Sequence, residues 1–490
     1  MTPVRLLGHG MTIGDIVAIA RSDAAVEVNS TVFDRLAAAR AVLDRTAENG
    51  TPIYGMNTGL GANLRTAVDS DHDAFQRQLV LGRGVAAGEP LARDETRAVM
   101  AARLSMLSTG GSGISAKTFE ALRALLNARI HPEIPSIGSI GAGDLVMLAP
   151  IAQCLMGVGP VEFAGERIDA SQALQRAGLA PTVLAAKDGI SIINASAVSA
   201  GVGALAVFDT RALLSVQRRA AALSFEALCG NPLILTPAIQ LARPAPHQAE
   251  EAAYLLQDLQ GSDLLSAKAA IQDPLSLRCV APIHAALADA LEHAIAIVEI
   301  ELNASADNPL VVTDEGRVLS TGNFHTPALS LAFETLGLAI AQAAAATAAR
   351  FIQLTGSGRN GLPRYLSPVG GASAGFVPMQ KTVTALLARI RHAANPVMLD
   401  FLAVSEGVED HATQSALVVE KLGRMLQLWR RLIACELLAA SQAVDLRPGH
   451  RCGEGTSATH AFVRGHAAFL EDDRPLGQDV ERLALALLAV

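Results

Sequence analysis

Residues 282–303, PIHAALADALEHAIAIVEIELN, read as one long helix. Apolar side chains recur at Ile283, Leu287, Leu291, Ile295 and Val298, the spacing that gathers one face of a 3.6-residue turn. Pro282 stands where a proline suits a first helical turn. Two further stretches have the same character. Residues 326–354 contain only Gly337 as a weak breaker, and residues 409–446 run through Leu422, Met425, Trp429, Leu432 and Ile433 before Pro448 ends them. At 1.5 Å per residue a segment of about 30 residues is about 45 Å long, more than a small domain can cover. Such rods, Ala-rich and poorly charged on their outer faces, pack on one another and on copies of the chain. The expectation is a helical bundle in a homo-oligomer.

The rest of the 490 residues fits a large folded protein. Length alone suggests about three domain-sized units or one fused architecture. Half the residues are apolar and 18% are charged, below the usual ~25%, so the chain has ample core material and too little charge for disorder. With 39 Lys+Arg against 47 Asp+Glu, the net charge is −8. Without a basic footprint, counterion release cannot drive binding to a phosphate backbone, and nucleic acid is not expected as a partner.

The first residues, MTPVRLLGHGMTIGDIVAIARSD, have no apolar signal region and meet Asp15 early. The Ala-rich run from Leu336 to Thr347 falls short of the ~20 residues of a membrane span and is interrupted by Gln342. A cytoplasmic protein without a membrane partner is expected. Cys154, Cys229, Cys279, Cys435 and Cys452 are odd in number and lack a CxxC pair, so neither a disulfide framework nor a zinc site is indicated. His131, His284, His325 and His411 read as structural residues or caps, and no metal is expected.

Before residue 206 the pattern changes. Gly/Pro punctuation at 55–61, 110–113 and 132–143 separates shorter helices. This suggests a loop-rich active-site domain over 1–205 and a long-helix domain over 206–490. The Gly/Pro/Ser-rich stretch from Gly356 to Gly375 is a lid or a connector.

Four segments carry polar chemistry. YGMNTGLG at 54–61 places Tyr54 in a Gly-rich loop, either facing a cleft or buried beside an ordinary turn. GSIGAGDL at 138–145 puts flexible glycines ahead of a helix start, but its spacing is neither a Walker loop nor a dinucleotide fingerprint. QDPLSLRC at 272–279 and SADNPL at 305–310 place polar groups at the ends of long helices, where singly they read as caps or ion pairs.

Together with KDGISIINAS at 187, STGNFH at 320 and EDH at 409, these segments resemble the aromatic amino acid ammonia-lyase family from end to end, in the family's order. The resemblance implies an all-α ammonia-lyase (fumarase/aspartase-like) fold with a central bundle of long helices. It also implies a homotetramer whose active sites draw on three subunits, and elimination of an amino group and a β-proton from an aromatic amino acid. By matching motif, Tyr54 would be the base, Arg278 the partner of the substrate carboxylate and Asn308 a second carboxylate contact. Asn194, Gln272, Phe324 and Glu409 fall on other active-site positions. The chemistry is consistent, since a guanidinium binds a carboxylate bidentately and a tyrosinate can take a proton.

One departure from the family is decisive. Its members build an electrophilic methylideneimidazolone from Ala-Ser-Gly, and this chain has Gly141-Ala142-Gly143. Alanine has no hydroxyl to eliminate, and Ser139, the nearest alternative, is followed by the hindered Ile140. The expectation is that the group is absent and that no cofactor is used. A primary amine leaves only after activation through its lone pair. A trimethylammonium has none and already departs as neutral trimethylamine. The pattern is similar to the ergothionase branch, which converts ergothioneine to thiourocanate and trimethylamine without the electrophile.

Arg83, Leu275 and Lys381 also depart from the family's usual residues. Lys381 and Glu409 are candidates for a pair addressing the thioimidazole sulfur and a ring N–H, with a buried ion pair between two helices as the structural alternative. Arg83 is a carboxylate or ring contact, or a surface or inter-subunit salt bridge. The rival readings are an ammonia-lyase acting on histidine or another aromatic amino acid, and an inactive scaffold or binding relative.

Overall fold

The long apolar patterns fold as helices Val280–Leu302, Pro327–Leu354 and Ser415–Asp445 in the structure, a computed structural model. It describes residues 2–68, 71–267, 271–356, 361–399 and 401–487. About 60% of the chain is helical, and the all-α expectation holds. Strands are short. One antiparallel hairpin, Leu310–Val312 with Arg317–Leu319, follows the SADNPL segment directly.

One helix expectation needs correction, and one long helix was not anticipated. Residues 409–414 do not join the last long helix. Thr413 and Gln414 turn their N–H groups onto the Ile140 carbonyl at 3.2 and 2.9 Å, Gln414 adopts φ +54°, and Glu409 bridges back to Val404. The longest helix, Ala197–Leu228, spans 32 residues and carries no amphipathic signature. Most of it is buried, and only a narrow stripe through Phe208, Arg211 and Arg219 reaches solvent.

Length does not exclude membrane crossing as the sequence reading supposed. The helices over residues 188–228 and Pro327–Leu354 are both long and apolar enough to span a bilayer. In the first, 94% of the most apolar window is buried within the chain itself.

The chain forms two compact units, each assembled from three segments. The first comprises Met1–Phe208, Ile295–Leu331 and Pro396–Glu420; the second comprises Asp209–Ala294, Ala332–Asn395 and Lys421–Val490. The first change of unit along the chain falls at Phe208/Asp209. Residues 295–331 and 396–420 rejoin the first unit, bringing Asn308, Phe324 and Glu409 to the loops of the N-terminal region.

At the centre of the first unit lies the Arg93–Ser108 helix, buried from Thr96 to Ser108. Glu95 accepts the N–H of Ala92 at 2.9 Å and closes its first turn. Gly201 lets the Ala197–Leu228 helix cross it closely: a Cβ there would stand 2.7 Å from the Ala98 carbonyl.

The second unit is built around Trp429, whose indole N–H donates to Gln217 Oε1 at 3.2 Å, and around the fully buried pair Arg350–Glu436. Arg350 also donates to the Ser276 carbonyl at 3.0 Å and so anchors the QDPLSLRC segment. Residues 357–360 of the stretch read as a lid or a connector lie outside the described residues. Further along that stretch, the Asp473 carboxylate accepts Ser373 Oγ and the Ala374 and Gly375 N–H groups at 2.7–3.0 Å, and Ser373 Oγ accepts the Gly375 N–H at 3.2 Å.

Candidate active site

In the first unit a cavity of about 920 Å³ is walled by the Tyr54–Leu64 loop, Gly82–Val85, the 138–146 turn, Asn194, Asn308, Phe324 and the 404–409 loop. A second cleft, of about 530 Å³, holds Arg5, Glu27, Glu120 and Arg123. Its charges neutralise one another as Arg5–Glu27 and Arg123–Glu120.

The 138–145 turn forms one wall. Gly141 and Gly143 adopt φ +78° and +80°, and Ala142 between them is 9% exposed and bridges to His325. Asp144 pins the turn from within. Its carboxylate accepts Ser139 Oγ at 2.7 Å and the N–H groups of Val198 and Ser199 at 3.0 and 3.3 Å. Burial pushes its pKa up to about 6, against the lowering effect of these donors.

Asn194 follows the short Asp188–Ile193 helix, and its side-chain amide donates to the Asn308 carbonyl at 2.8 Å. That bond leaves Asn194 Oδ1 as an acceptor. Asn308 is oriented the other way, with Oδ1 accepting the Thr321 N–H at 3.0 Å, so its NH₂ is left to donate. Ser196 Oγ donates to the Phe324 carbonyl at 2.7 Å, fixing the ring's backbone.

Tyr54, Arg83 and Glu409 supply the ionisable groups. Tyr54 Oη accepts the Gly61 N–H at 2.9 Å. Arg83, just past the His72–Leu81 helix, donates to the Leu79 carbonyl at 3.2 Å. Burial lowers its pKa, and electrostatic interaction with Tyr54 and Glu409 opposes that shift. Among the described lining residues, Arg83 is the only cation and Glu409 the only anion. The cavity wall, rather than an isolated surface position, is therefore where this arginine lies. Glu409 accepts the Ser405 hydroxyl.

Three expected site residues lie in the second unit, and none lines this cavity. Arg278 ends the Leu275–Arg278 helix, Gln272 is exposed just before it, and Lys381 is exposed in the first turn of Met379–Ala393. In the single chain Lys381 is exposed, and Glu409 lies outside any helix.

Sequence reading missed several groups. Ser405 and Glu406 both take left-handed backbone, at φ 54° and 56°, and no residue type announces it. His325 Nε2 and His411 Nδ1 lie 2.7 Å apart, and the His325 ring also bonds the Gly141 backbone. Burial first, then the neighbouring His411, lowers the His325 pKa. A Glu226–His450–Cys452 group, with ligand-type atoms within 4.8 Å of one another, was also unanticipated because its members are distant in sequence. Gly453 N–H, Thr456 Oγ1, Ser262 Oγ and His450 Nε2 meet the buried Glu226 carboxylate at 2.7–2.9 Å and account for its burial.

The methylideneimidazolone does not fit these residues. Ala142 offers no hydroxyl. An alanine Cβ at 141 would lie 2.0 Å from Thr413 Oγ1, so the family's Ala-Ser-Gly has no room there. Ser139 Oγ is already committed, donating to Asp144 and accepting the Gly141 N–H at 3.0 Å.

The family model described as aromatic amino acid lyase matches residues 11–465. The chain is 36% identical over 482 residues to histidine ammonia-lyase of Treponema denticola, covering 98% of this chain and 95% of that protein. It is also 36% identical over 485 residues to that of Aromatoleum aromaticum, covering 98% and 92%. Among solved structures, ergothionase from Treponema denticola in complex with desmethyl-ergothioneine sulfonic acid is similar with a TM-score of 0.96, at 30% identity and 99% coverage of both chains. Histidine ammonia-lyase from Trypanosoma cruzi follows with a TM-score of 0.92, at 29% identity over 100% of this chain and 94% of that one.

Proposed function

The chain belongs to the aromatic amino acid lyase family, and from that premise we propose that it eliminates trimethylamine from ergothioneine to give thiourocanate, without a methylideneimidazolone. The observation that carries this reading is Ala142, with the crowded Gly141 and the committed Ser139 beside it. A chain that does not build the electrophile suits a substrate whose nitrogen is already a leaving group. The likeness to ergothionase supports the same choice.

In this mechanism the Tyr54 phenolate removes the β-proton. The C–H electron pair passes through a ring-stabilised carbanion into the new C=C bond, and the C–N pair leaves on trimethylamine. Glu409 accepts a ring N–H and Lys381 faces the sulfur, polarising the ring where charge develops. Asn308 donates its NH₂ to the carboxylate beside Arg278. Arg83 supplies the positive charge on the wall that Tyr54 and Glu409 share. Phe324 offers a face to the ring, and Asn194 and Gln272 complete the polar lining. Gln272, Arg278 and Lys381 reach the site from other copies in a homotetramer.

Incubation with ergothioneine tests the reading: trimethylamine and thiourocanate should accumulate, and the intact chain should have its encoded mass. The names of the relatives favour one rival, histidine ammonia-lyase activity. Turnover of histidine but not of ergothioneine, in a chain lighter by two waters, would establish that rival instead.

A further inference from the structure

Arg103 and Asp307 lie behind the cavity wall and do not line it. Both are essentially inaccessible, and the guanidinium donates to Asp307 Oδ1 at 2.7 Å. The same guanidinium reaches a second element. Its Nε donates to the Ile192 carbonyl at 3.0 Å and its Nη2 to the Ser191 carbonyl. These are among the last carbonyls of the six-residue Asp188–Ile193 helix, groups that have no partner within a helix.

A helix of under two turns holds its own end poorly, and a cation at the C-terminus satisfies both its orphan carbonyls and its dipole. Asn194 is the next residue after the capped end, and Asn308 the next after Asp307. These two asparagines then meet in the cavity through the 2.8 Å bond from the Asn194 amide to the Asn308 carbonyl.

We propose that the Arg103–Asp307 pair is a positioning element that sets the spacing and orientation of Asn194 and Asn308 on the cavity wall. One planar fork reaches two carbonyls and a carboxylate; a lysine ammonium at the same Cα has neither the reach nor the geometry for all three. The role rests on the reading of this cavity as the active site. Neither residue touches substrate, so both act through the asparagines.

Two variants and two measurements test it. Arg103→Lys keeps the charge and breaks the fork, whereas the double variant Arg103→Met/Asp307→Leu removes both charges together and avoids stranding one of them in the core. In folded tetramer of either variant, kcat/KM for ergothioneine should fall about 100-fold, with a rise in KM. A crystal structure should show Asn194 Nδ2 drawn out of hydrogen-bond range of the Asn308 carbonyl. A folded variant with wild-type KM, or with that bond intact, overturns the proposal. If the wild-type protein turns over neither ergothioneine nor histidine, the functional reading fails, and the crystallographic distance alone decides the positioning role.

Discussion

Lys187 sits wholly inside the first unit, with its amine donating to the Ser112 carbonyl. Burial pulls its pKa from 10.5 down to about 8, with Asp307 opposing the shift and Arg103 adding to it. The folded chain therefore releases this proton more easily than the unfolded one. Between pH 8 and 10.5 the unfolded state binds more protons, so stability rises with pH across that window and is lost again as pH falls through about 8. The full difference is about 3 kcal/mol. Denaturant titrations at the two ends of the window should show wild type gaining on Lys187→Met as pH rises. A constant gap between the two proteins would refute the assignment. Tyr54 belongs to the same scale. Tyr54→Phe removes only the hydroxyl that accepts the Gly61 N–H, so the variant should fold and lose about 100- to 10,000-fold in kcat. Near-wild-type turnover would remove Tyr54 from the role of base.

Among the elements, the crossing of Ala197–Leu228 over Arg93–Ser108 is the most exacting. The second of these helices carries Arg103, and the first begins beside Asp144, whose carboxylate accepts its opening N–H groups. Gly201 therefore bears on the cavity from a distance. A methyl at 201 would press on the Ala98 backbone at 2.7 Å, and rigid main chain cannot swing aside as a long side chain can. Gly201→Ala should cost about 1–3 kcal/mol, read as a lowered urea midpoint, and should reduce activity by shifting the Asp144 turn. An unchanged midpoint would mean that the helices separate without penalty. The 409–414 segment shows the opposite case, where a helical pattern yields to tertiary hydrogen bonds. The Ile140 carbonyl captures two N–H groups that a longer helix would have used.

For the whole molecule, the division of the proposed site residues between units is the main consequence. Tyr54, Arg83, Asn194, Asn308, Phe324 and Glu409 belong to the first unit, and Gln272, Arg278 and Lys381 to the second. If neighbouring copies complete each site, two inactive variants should rescue one another. Tyr54→Phe and Arg278→Leu, each inactive when pure, should regain ergothioneine turnover when co-expressed. Mixed tetramers then contain sites with an intact tyrosine from one copy and an intact arginine from another. Absence of rescue in verified mixed tetramers would place both residues in a site formed by a single chain.

The sequence by itself determined the class of fold, because the period of apolar residues survives wherever a helix keeps one wet face, as in 282–303. It also determined the chemical anomaly, because a missing hydroxyl at position 142 is a property of one residue and needs no neighbours. Only the tertiary structure decided the start of the last long helix, the largely buried Ala197–Leu228, the placement of Arg83 on the cavity wall and the Arg103–Asp307 pair. Each of these depends on groups brought together from positions far apart in the chain, some of them more than 200 residues apart. Burial on most sides weakens the local pattern that a sequence reading uses, and a hydrogen bond between distant residues leaves no local pattern to read.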